Sequence, residues 1–227
     1  MTPKPQKQQL LAEFIGSMFL VMTAVSSMMM FTYVLEAPKG VAVFANAVSV
    51  SFVLCVLIEM FNPISGAHFN PVVTMVMLLE KKIEPLKALA YVLCQFVGGI
   101  AGTMFSHLMF FDEVGGLFSI SDNVRSGYVF FGEFFGTFIL VLAILMLAVA
   151  KSGRMPIIIG FLVGSQVMAT SSTMFANPQV TLARMFTDTV SGIRPIDGMV
   201  FIAVQVMGAL LAYVVWRVVL RRDSQLS

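Results

Sequence analysis

Charged residues are scarce in this chain of 227 residues, and their scarcity excludes an ordinary soluble domain. Asp, Glu, Lys and Arg together make up 11% of the sequence, whereas soluble domains carry about 25%. The 14 basic and 12 acidic residues give a formal net charge of +2, so the chain lacks the basic field that binds nucleic acid. We therefore expect no nucleic-acid partner.

Cysteine and histidine are also rare, which argues against disulfide and metal chemistry. The two cysteines, Cys55 and Cys94, lie inside apolar segments, and the two histidines are His68 and His107. This set offers neither a disulfide framework nor a metal shell, so we expect no metal and no cofactor. The apolar segments contain no Ser–His, Ser–Lys or paired-aspartate arrangement, and the chain is not expected to be an enzyme.

The sequence is rich in long hydrophobic runs, and 58% of its residues are hydrophobic. A helix needs about 20 mostly apolar residues to cross a bilayer, and six stretches meet that length or come close. They are Leu10–Tyr33, Val41–Phe61, Leu86–Phe111, Val129–Ala150, Pro156–Ser172 and Met199–Leu220. The composition therefore predicts an all-α integral membrane protein that crosses the cell membrane several times.

The basic residues of the connections predict which side of the membrane each loop faces. With the N-terminus in the cytoplasm, ten of the 14 Lys and Arg residues fall in cytoplasmic segments, among them Arg221 and Arg222. The four in outer segments are Lys39, Arg125, Arg184 and Arg194. Because short cytoplasmic connections carry an excess of Lys and Arg, both termini are expected to be cytoplasmic.

The two halves of the chain repeat a common pattern. Glu13-Phe-Ile-Gly near the start of the first span is similar to Glu133-Phe-Phe-Gly in the fourth, and an Asn-Pro pair follows the second and the fifth spans. Three spans per half is an odd number, so the second copy must run in the opposite direction. We predict a single transmembrane domain, residues 1–227, with inverted repeats at about 8–111 and 128–222 and a site at the midplane.

Each Asn-Pro pair predicts the start of a broken helix. Asparagine is a favoured helix cap, and proline suits the first helical position. The apolar segments that follow are too short to cross, and the loops that precede them must lie at membrane depth against protein or a water-filled cavity. The predicted half-helices are Val72–Leu79 and Val180–Thr187, and the predicted irregular loops are Asn62–Phe69 and Thr173–Ala176.

These motifs resemble a known family. Ser65-Gly66-Ala67-His68-Phe69-Asn70-Pro71-Val72-Val73-Thr74 is similar to the first signature of the aquaporin, or major intrinsic protein, family, and Ala176-Asn177-Pro178-Gln179 is similar to the second. The resemblance implies a right-handed bundle of six transmembrane helices plus two re-entrant half-helices, with a pore in each protomer of a homotetramer in membrane lipid. It also implies that Glu13, Glu133 and Gln95 support the re-entrant loops.

The resemblance implies a passive channel for water and small neutral solutes, such as glycerol, urea or metalloid hydroxides. Opposed half-helix N-termini would place positive charge at the pore centre. The amides of Asn70 and Asn177 would donate to a passing oxygen, which excludes protons and ions. The carbonyls expected along the pore are those of Gly66, Ala67, His68, Met174, Phe175 and Ala176.

The outer constriction departs from the family pattern. The family places an arginine three residues after the second asparagine, where this chain has Val180. Arg184 comes seven residues after Asn177, so it would lie on the same helical face as Asn177 but about 10 Å further along the helix. We therefore expect it to reach the vestibule and not the usual donor position. An alignment with four inserted residues would instead match Arg184 to the family arginine.

The remaining constriction positions carry over as Val50, Ser165 and Met174, with Gln166 or Val167 as alternatives to Ser165. Together with Val180, they predict an apolar constriction that admits solutes larger than water. Gln179 stands where the second signature usually has alanine, and it is expected to point away from the pore axis.

Glu59, within the second span, matches no acidic position of the family. An ionisable group at membrane depth is functional by default, so Glu59 could support a loop, stay protonated or titrate during transport. The alternative hypothesis is therefore a proton-coupled secondary transporter of a small polar solute. His68 is expected to be a hydrogen-bonded loop residue and not a metal ligand.

Overall fold

Residues 4–220 are described by a computed structural model, and within that range the chain contains helices and no strands. The predicted cytoplasmic Arg221 and Arg222, and the predicted end of the second repeat at residue 222, lie outside the described residues.

Each half contributes three long helices and one short one. The first half comprises α1 (Gln6–Met29), which continues as a π-helical turn (Met30–Val34), then α2 (Lys39–Ser65), the short α3 (Pro71–Leu79) and α4 (Pro85–Met109). One turn of helix, α5 (Phe111–Val114), begins the connection to the second half. That half comprises α6 (Val129–Val149), α7 (Met155–Ala169), the short α8 (Pro178–Arg184) and α9 (Pro195–Val215), which ends in a π-helical turn (Trp216–Leu220).

Five of the described helices, α1, α2, α4, α6 and α9, are long and apolar enough to cross a membrane. The predicted fifth span is shorter than expected, because α7 has 15 residues and ends at Ala169 instead of Ser172. Its last turn is closed by Thr170, whose hydroxyl donates to the Gln166 carbonyl and accepts from the Met174 N–H. At 1.5 Å per residue α7 is about 22 Å long, which is shorter than a hydrocarbon core of about 30 Å.

The two halves pack by the same contact. α1 packs on α4, α6 packs on α9, and α2 meets α7 across the halves. A Cβ on Gly98 of α4 would lie 2.4 Å from the Phe14 carbonyl oxygen, and a Cβ on Gly208 of α9 would lie 2.4 Å from that of Phe134. Glycine at both positions lets the helices approach closely, and the inverted repeat is confirmed.

Both half-helices are capped by the predicted asparagines, and they begin at Pro71 and Pro178 instead of Val72 and Val180. The Val72 N–H donates to Asn70 Oδ1 at 3.1 Å, and the Gln179 N–H donates to Asn177 Oδ1 at 3.1 Å. The first irregular segment starts at Gly66 instead of Asn62, because α2 extends to Ser65. The second half-helix ends at Arg184 instead of Thr187, because the next two carbonyls accept hydrogen bonds from the outer connection: Met185 from Ser121, and Phe186 from Ser119.

Candidate functional site

Glu13 fixes the loop that precedes the first half-helix. Its carboxylate is fully buried and accepts from the backbone N–H of Phe69 at 2.8 Å and of His68 at 3.0 Å. The Ser65 hydroxyl donates to it at 2.6 Å, and Gln95 Nε2 donates at 2.8 Å. A buried carboxylate is stabilised only when such donors replace its water shell, so Glu13 and this loop depend on each other.

Glu133 fixes the second loop in the same way. The fully buried carboxylate accepts from the N–H of Phe175 at 2.7 Å and of Ala176 at 2.8 Å, and Gln205 Nε2 donates to it at 2.7 Å. Gln205 also donates to the Thr181 hydroxyl at 2.8 Å, as Gln95 does to the Thr74 hydroxyl at 3.0 Å in the first half.

Both loops have backbone in the left-handed region at matching places. Beside Gly66, the first loop has positive φ at Ala67 (50°) and Phe69 (47°), and the second has it at Thr173 (60°), Met174 (39°) and Ala176 (47°). Non-glycine residues with this conformation cost of order 1 kcal/mol or more each. The carboxylate bonds of Glu13 and Glu133 offset that cost.

The two asparagines join the loops at the centre of the bundle. Asn70 Nδ2 donates to the Ala176 carbonyl at 2.9 Å, and Asn177 Nδ2 donates to the Phe69 carbonyl at 2.8 Å. An amide nitrogen carries two hydrogens, so each asparagine keeps one donor besides this bond. The Ala176 carbonyl, predicted to lie along the pore, accepts from Asn70, and Ala176 lines the inner cavity.

A cavity of about 370 Å³ runs past both asparagines from Lys82 to Arg184. One wall consists of the two loops, including the predicted Gly66, Ala67, His68, Phe175 and Ala176. The opposite wall is aliphatic and is formed by Leu20, Val50, Leu54, Ile58, Leu140, Ile144, Ile159, Val163 and Val167. The cavity is thus polar along one side and apolar along the other.

A second cavity of about 750 Å³ lies beside the first, among the connections that precede α6 and α9. The two cavities share the lining residues Asn46, Thr173 and Arg184. These three residues therefore stand where the cavities meet, and we call this place the junction.

Three of the four predicted constriction residues, Val50, Met174 and Val180, line the inner cavity. The prediction for Ser165 is wrong, because Ser165 is exposed and its hydroxyl donates to the Leu162 carbonyl of its own helix at 2.8 Å. α7 turns Ile159, Val163 and Val167 toward the cavity at a spacing of four residues, which places Ser165 on another face. Val167, the alternative, lies on the cavity.

Arg184, which was expected to reach the vestibule but not the usual donor position of the family arginine, borders the inner cavity itself. Arg184 is 5% exposed and lies at the junction, with its guanidinium carbon 4.1 Å from the centre of the Phe175 ring. Its side chain leans back toward the start of α8, as helical side chains do. Its Nε has no hydrogen-bond partner among the described residues. The constriction is consequently cationic as well as apolar.

A second arginine, Arg125, was missed by sequence reasoning. It extends from the outer connection between α5 and α6, and its guanidinium carbon lies 4.9 Å from the Phe175 ring centre. Burial lowers the pKa of Arg125 below its usual value, and the negative charge of Glu133 opposes that shift. The sequence signal was only a basic residue in an outer loop, because irregular loops have no periodicity that predicts contacts.

Gln179 is fully buried and does not line either cavity. Its Nε2 donates to the Phe69 carbonyl at 3.3 Å, the oxygen that also accepts from Asn177. Its Oε1 lies against Gly99 of α4, where an added Cβ would be 2.2 Å away. The glutamine of the second motif therefore occupies space that glycine leaves open.

Gly99→Ala is expected to destabilise the protein by about 1–3 kcal/mol, the usual cost of overpacking a core. Adding Gln179→Ala should restore part of that loss, because it removes the atom that the new methyl group meets. Thermal unfolding in detergent measures both. Gly40→Ala is the control, since nothing lies within 4 Å of a Cβ there. Equal melting temperatures for G99A and G99A/Q179A would disprove the contact.

Glu59 and His68 differ in their relation to the cavities. Glu59 is exposed on α2 and does not line either cavity. His68 lines the inner cavity, and its Nδ1 lies 3.1 Å from the Thr74 hydroxyl. The residue on which the transporter hypothesis depended is therefore away from the path.

Known proteins match this chain along most of its length. A family model described as major intrinsic protein matches residues 1–174. Aquaglyceroporin AqpS from Rhizobium meliloti is 38% identical over 207 residues, which cover 91% of this chain and 87% of that protein. Aquaporin-1 from Bos taurus is 30% identical over 232 residues, covering 95% and 83%.

A solved structure supports the architecture. The X-ray structure of the aquaglyceroporin from Plasmodium falciparum superimposes with a TM-score of 0.77 at 17% identity, covering 98% of this chain and 100% of that one. At this identity the likeness establishes the fold, and the sequence matches establish the relationship. The chain belongs to the major intrinsic protein family of membrane channels.

Proposed function

We propose that the protein is a passive membrane channel for water and small neutral solutes, with glycerol as the test solute of choice. The observation that carries this proposal is the pair Asn70 and Asn177, which are bonded to opposite loops and border the inner cavity. A cavity with donors at its centre and an aliphatic far wall suits a molecule with hydroxyls on one side and carbon on the other.

The exclusion of protons follows from the direction of the donors. α3 and α8 both begin at the asparagines, and helix N-termini carry partial positive charge. A water that accepts from Asn70 and Asn177 must turn both of its own hydrogens away from the centre. This orientation interrupts a chain of hydrogen-bonded waters, and the positive field repels cations.

The size of the permeant is set near the junction. Val50, Val167 and Met174 supply aliphatic walls, and the buried Arg184 supplies donors. This combination favours polyols over ions, and it agrees with the name of one relative, aquaglyceroporin AqpS. Urea and metalloid hydroxides are further small neutral solutes that we propose as permeants.

The membrane arrangement is proposed from charge and family. Both termini face the cytoplasm, so the inner cavity opens beside Lys82 on the cytoplasmic side and the larger cavity opens outward. The protein assembles as a homotetramer with one pore per protomer. In this arrangement, the exposed apolar side chains of α1, α2, α6 and α7 face lipid or neighbouring protomers.

Glycerol flux into proteoliposomes tests the proposal. Vesicles with the protein should swell in isotonic glycerol faster than empty vesicles, with a rate that rises linearly with concentration. Val50→Trp should abolish the effect, because Val50 lines the cavity and is 7% exposed. Phe52→Trp is the matched control, since Phe52 is 59% exposed on the same helix.

A swelling rate equal to that of empty vesicles would refute the glycerol proposal. A rate that saturates, or that depends on a proton gradient, would support the transporter hypothesis instead.

A further inference from the structure

Two guanidinium groups contact the Phe175 ring at the outer end of the inner cavity. Arg184 lies 4.1 Å and Arg125 lies 4.9 Å from the ring centre. Arg184 borders both cavities, whereas Arg125 borders the outer one. At the equivalent place in the first half, the His68 ring packs against the Tyr91 ring. The cation over the Tyr91 ring is Lys87, so this half has no arginine in that position.

The guanidinium of Arg125 is held by four acceptors. Nε donates to the Gly192 carbonyl at 2.9 Å, and Nη2 donates to the Val190 carbonyl at 3.3 Å. Nη1 donates to the Ser172 carbonyl at 3.2 Å and to the Thr173 hydroxyl at 3.4 Å. Two of these acceptors precede α8 in the chain and two follow it. One planar guanidinium therefore joins the two ends of the segment that carries the pore residues.

The backbone of Arg125 is fixed as well. Its N–H donates to Asp197 Oδ2 at 2.9 Å, and Asp197 is buried in the first turn of α9. Two residues earlier, the Asn123 carbonyl accepts from the Arg194 N–H at 2.8 Å. The outer connection therefore presents Arg125 to the junction from a defined position.

Charge at the outer cavity is unequally distributed. Lys39 and Asp188 both line it and both are exposed, so they offset each other and are screened by solvent. Arg125 and Arg184 are the more enclosed cations beside it. Charges enclosed by protein are screened less than exposed ones, so these two, partly offset by the buried carboxylate of Glu133, contribute most of the positive field that an entering ion meets.

We propose that Arg125 is a specificity-determining residue of the channel: it supplies a second fixed cation beside Arg184 and positions Thr173 and Phe175 at the junction. This inference rests on the proposed channel function. It assigns two separable contributions to one side chain. Its charge excludes cations, and its fork of hydrogen bonds sets the width available to solutes larger than water.

Two variants separate the contributions. Arg125→Gln removes the charge and the fork, and Arg125→Lys keeps the charge but cannot reach four acceptors in one plane. R125Q should raise the K⁺ conductance of reconstituted protein at least about tenfold, the change expected when one of two enclosed charges is lost. R125K should keep the low K⁺ conductance, and both variants should change the ratio of glycerol to water permeability by about threefold or more.

Lys39→Gln is the control, because it removes a positive charge from the same cavity at an exposed position. It should leave both readouts within about twofold of the wild type, as expected of an exposed charge. R125Q protein with wild-type K⁺ conductance would overturn the inference. If R125Q does not reconstitute, R125K provides the test. An unchanged ratio of glycerol to water permeability in R125K would overturn the positioning role of Arg125. Absence of water and glycerol flux in the wild type would instead refute the proposed function.

Discussion

Asn177→Asp will reduce water permeability at least about tenfold and make the protein conduct cations. The substitution keeps the size of the side chain and its helix-capping oxygen, but it removes the donor that reaches the Phe69 carbonyl at 2.8 Å. Two oxygens would then face each other at a hydrogen-bond distance in a buried place, which costs about 1–3 kcal/mol or more. The added negative charge also cancels the positive field of the two half-helix N-termini.

Stopped-flow water flux and cation conductance on the same proteoliposomes measure both effects. Asn70→Asp should have the same effects on water flux and cation conductance, because Asn70 donates the equivalent hydrogen bond to the Ala176 carbonyl at 2.9 Å. Asn62→Asp is the control, since Asn62 is exposed where it lines the inner cavity and lies outside both motifs. Unchanged cation exclusion in N177D would show that the asparagine pair does not determine which solutes the channel excludes.

Glu133→Gln will destabilise the protein by about 3 kcal/mol or more and abolish channel activity. The carboxylate accepts from the N–H groups of Phe175 and Ala176 and from Gln205. An amide offers one oxygen to these three donors and turns its own hydrogens toward at least one of them. Buried donors without partners cost about 1–3 kcal/mol each, and the left-handed backbone of Met174 and Ala176 would lose its support.

The measurement is thermal unfolding in detergent together with water flux after reconstitution. Glu59→Gln makes the same chemical change at an exposed position and should shift the melting temperature little. Glu13→Gln should resemble E133Q, because Glu13 supports the first loop through His68 and Phe69. A melting temperature for E133Q equal to that of E59Q would contradict the account of the loops.

The half-helices and their supports could be predicted because their signals are local. Asparagine followed by proline predicts a capped helix start on chemical grounds, and the structure has such a start at Asn70 and at Asn177. The pairing of Glu13, Glu133 and Gln95 with the loops came from the family resemblance, and the hydrogen bonds of these side chains agree with it. The repetition of the Asn-Pro and glutamate motifs in both halves then predicted the inverted arrangement.

The faces of α7 could not be predicted, because hydropathy does not distinguish a lipid-facing side from a cavity-facing one when both are apolar. Ser165 was assigned to the constriction by carrying the family position over without gaps, with Gln166 or Val167 as alternatives, and the residue that lines the cavity is Val167. The reach of Arg184 depends on a different property. Its guanidinium lies over the Phe175 ring of the re-entrant loop, and this contact follows from the assembled fold and not from the periodicity of α8.

Arg125 lay beyond sequence reasoning for the same reason. Its partners, such as Gly192, are 67 positions away and irregular in structure. Contacts of this kind follow from the assembled fold and not from any repeat in the residues. The junction of the two cavities, which we propose to be the constriction, is consequently the part of the site least accessible from sequence.

The temperature dependence of osmotic water flux through reconstituted wild-type protein is the most direct test of a continuous path past Asn70 and Asn177. The account predicts fast shrinkage of proteoliposomes with a shallow Arrhenius slope, since water would exchange hydrogen bonds with fixed donors and never enter lipid. Shrinkage at the rate and with the steep slope of empty vesicles would contradict it.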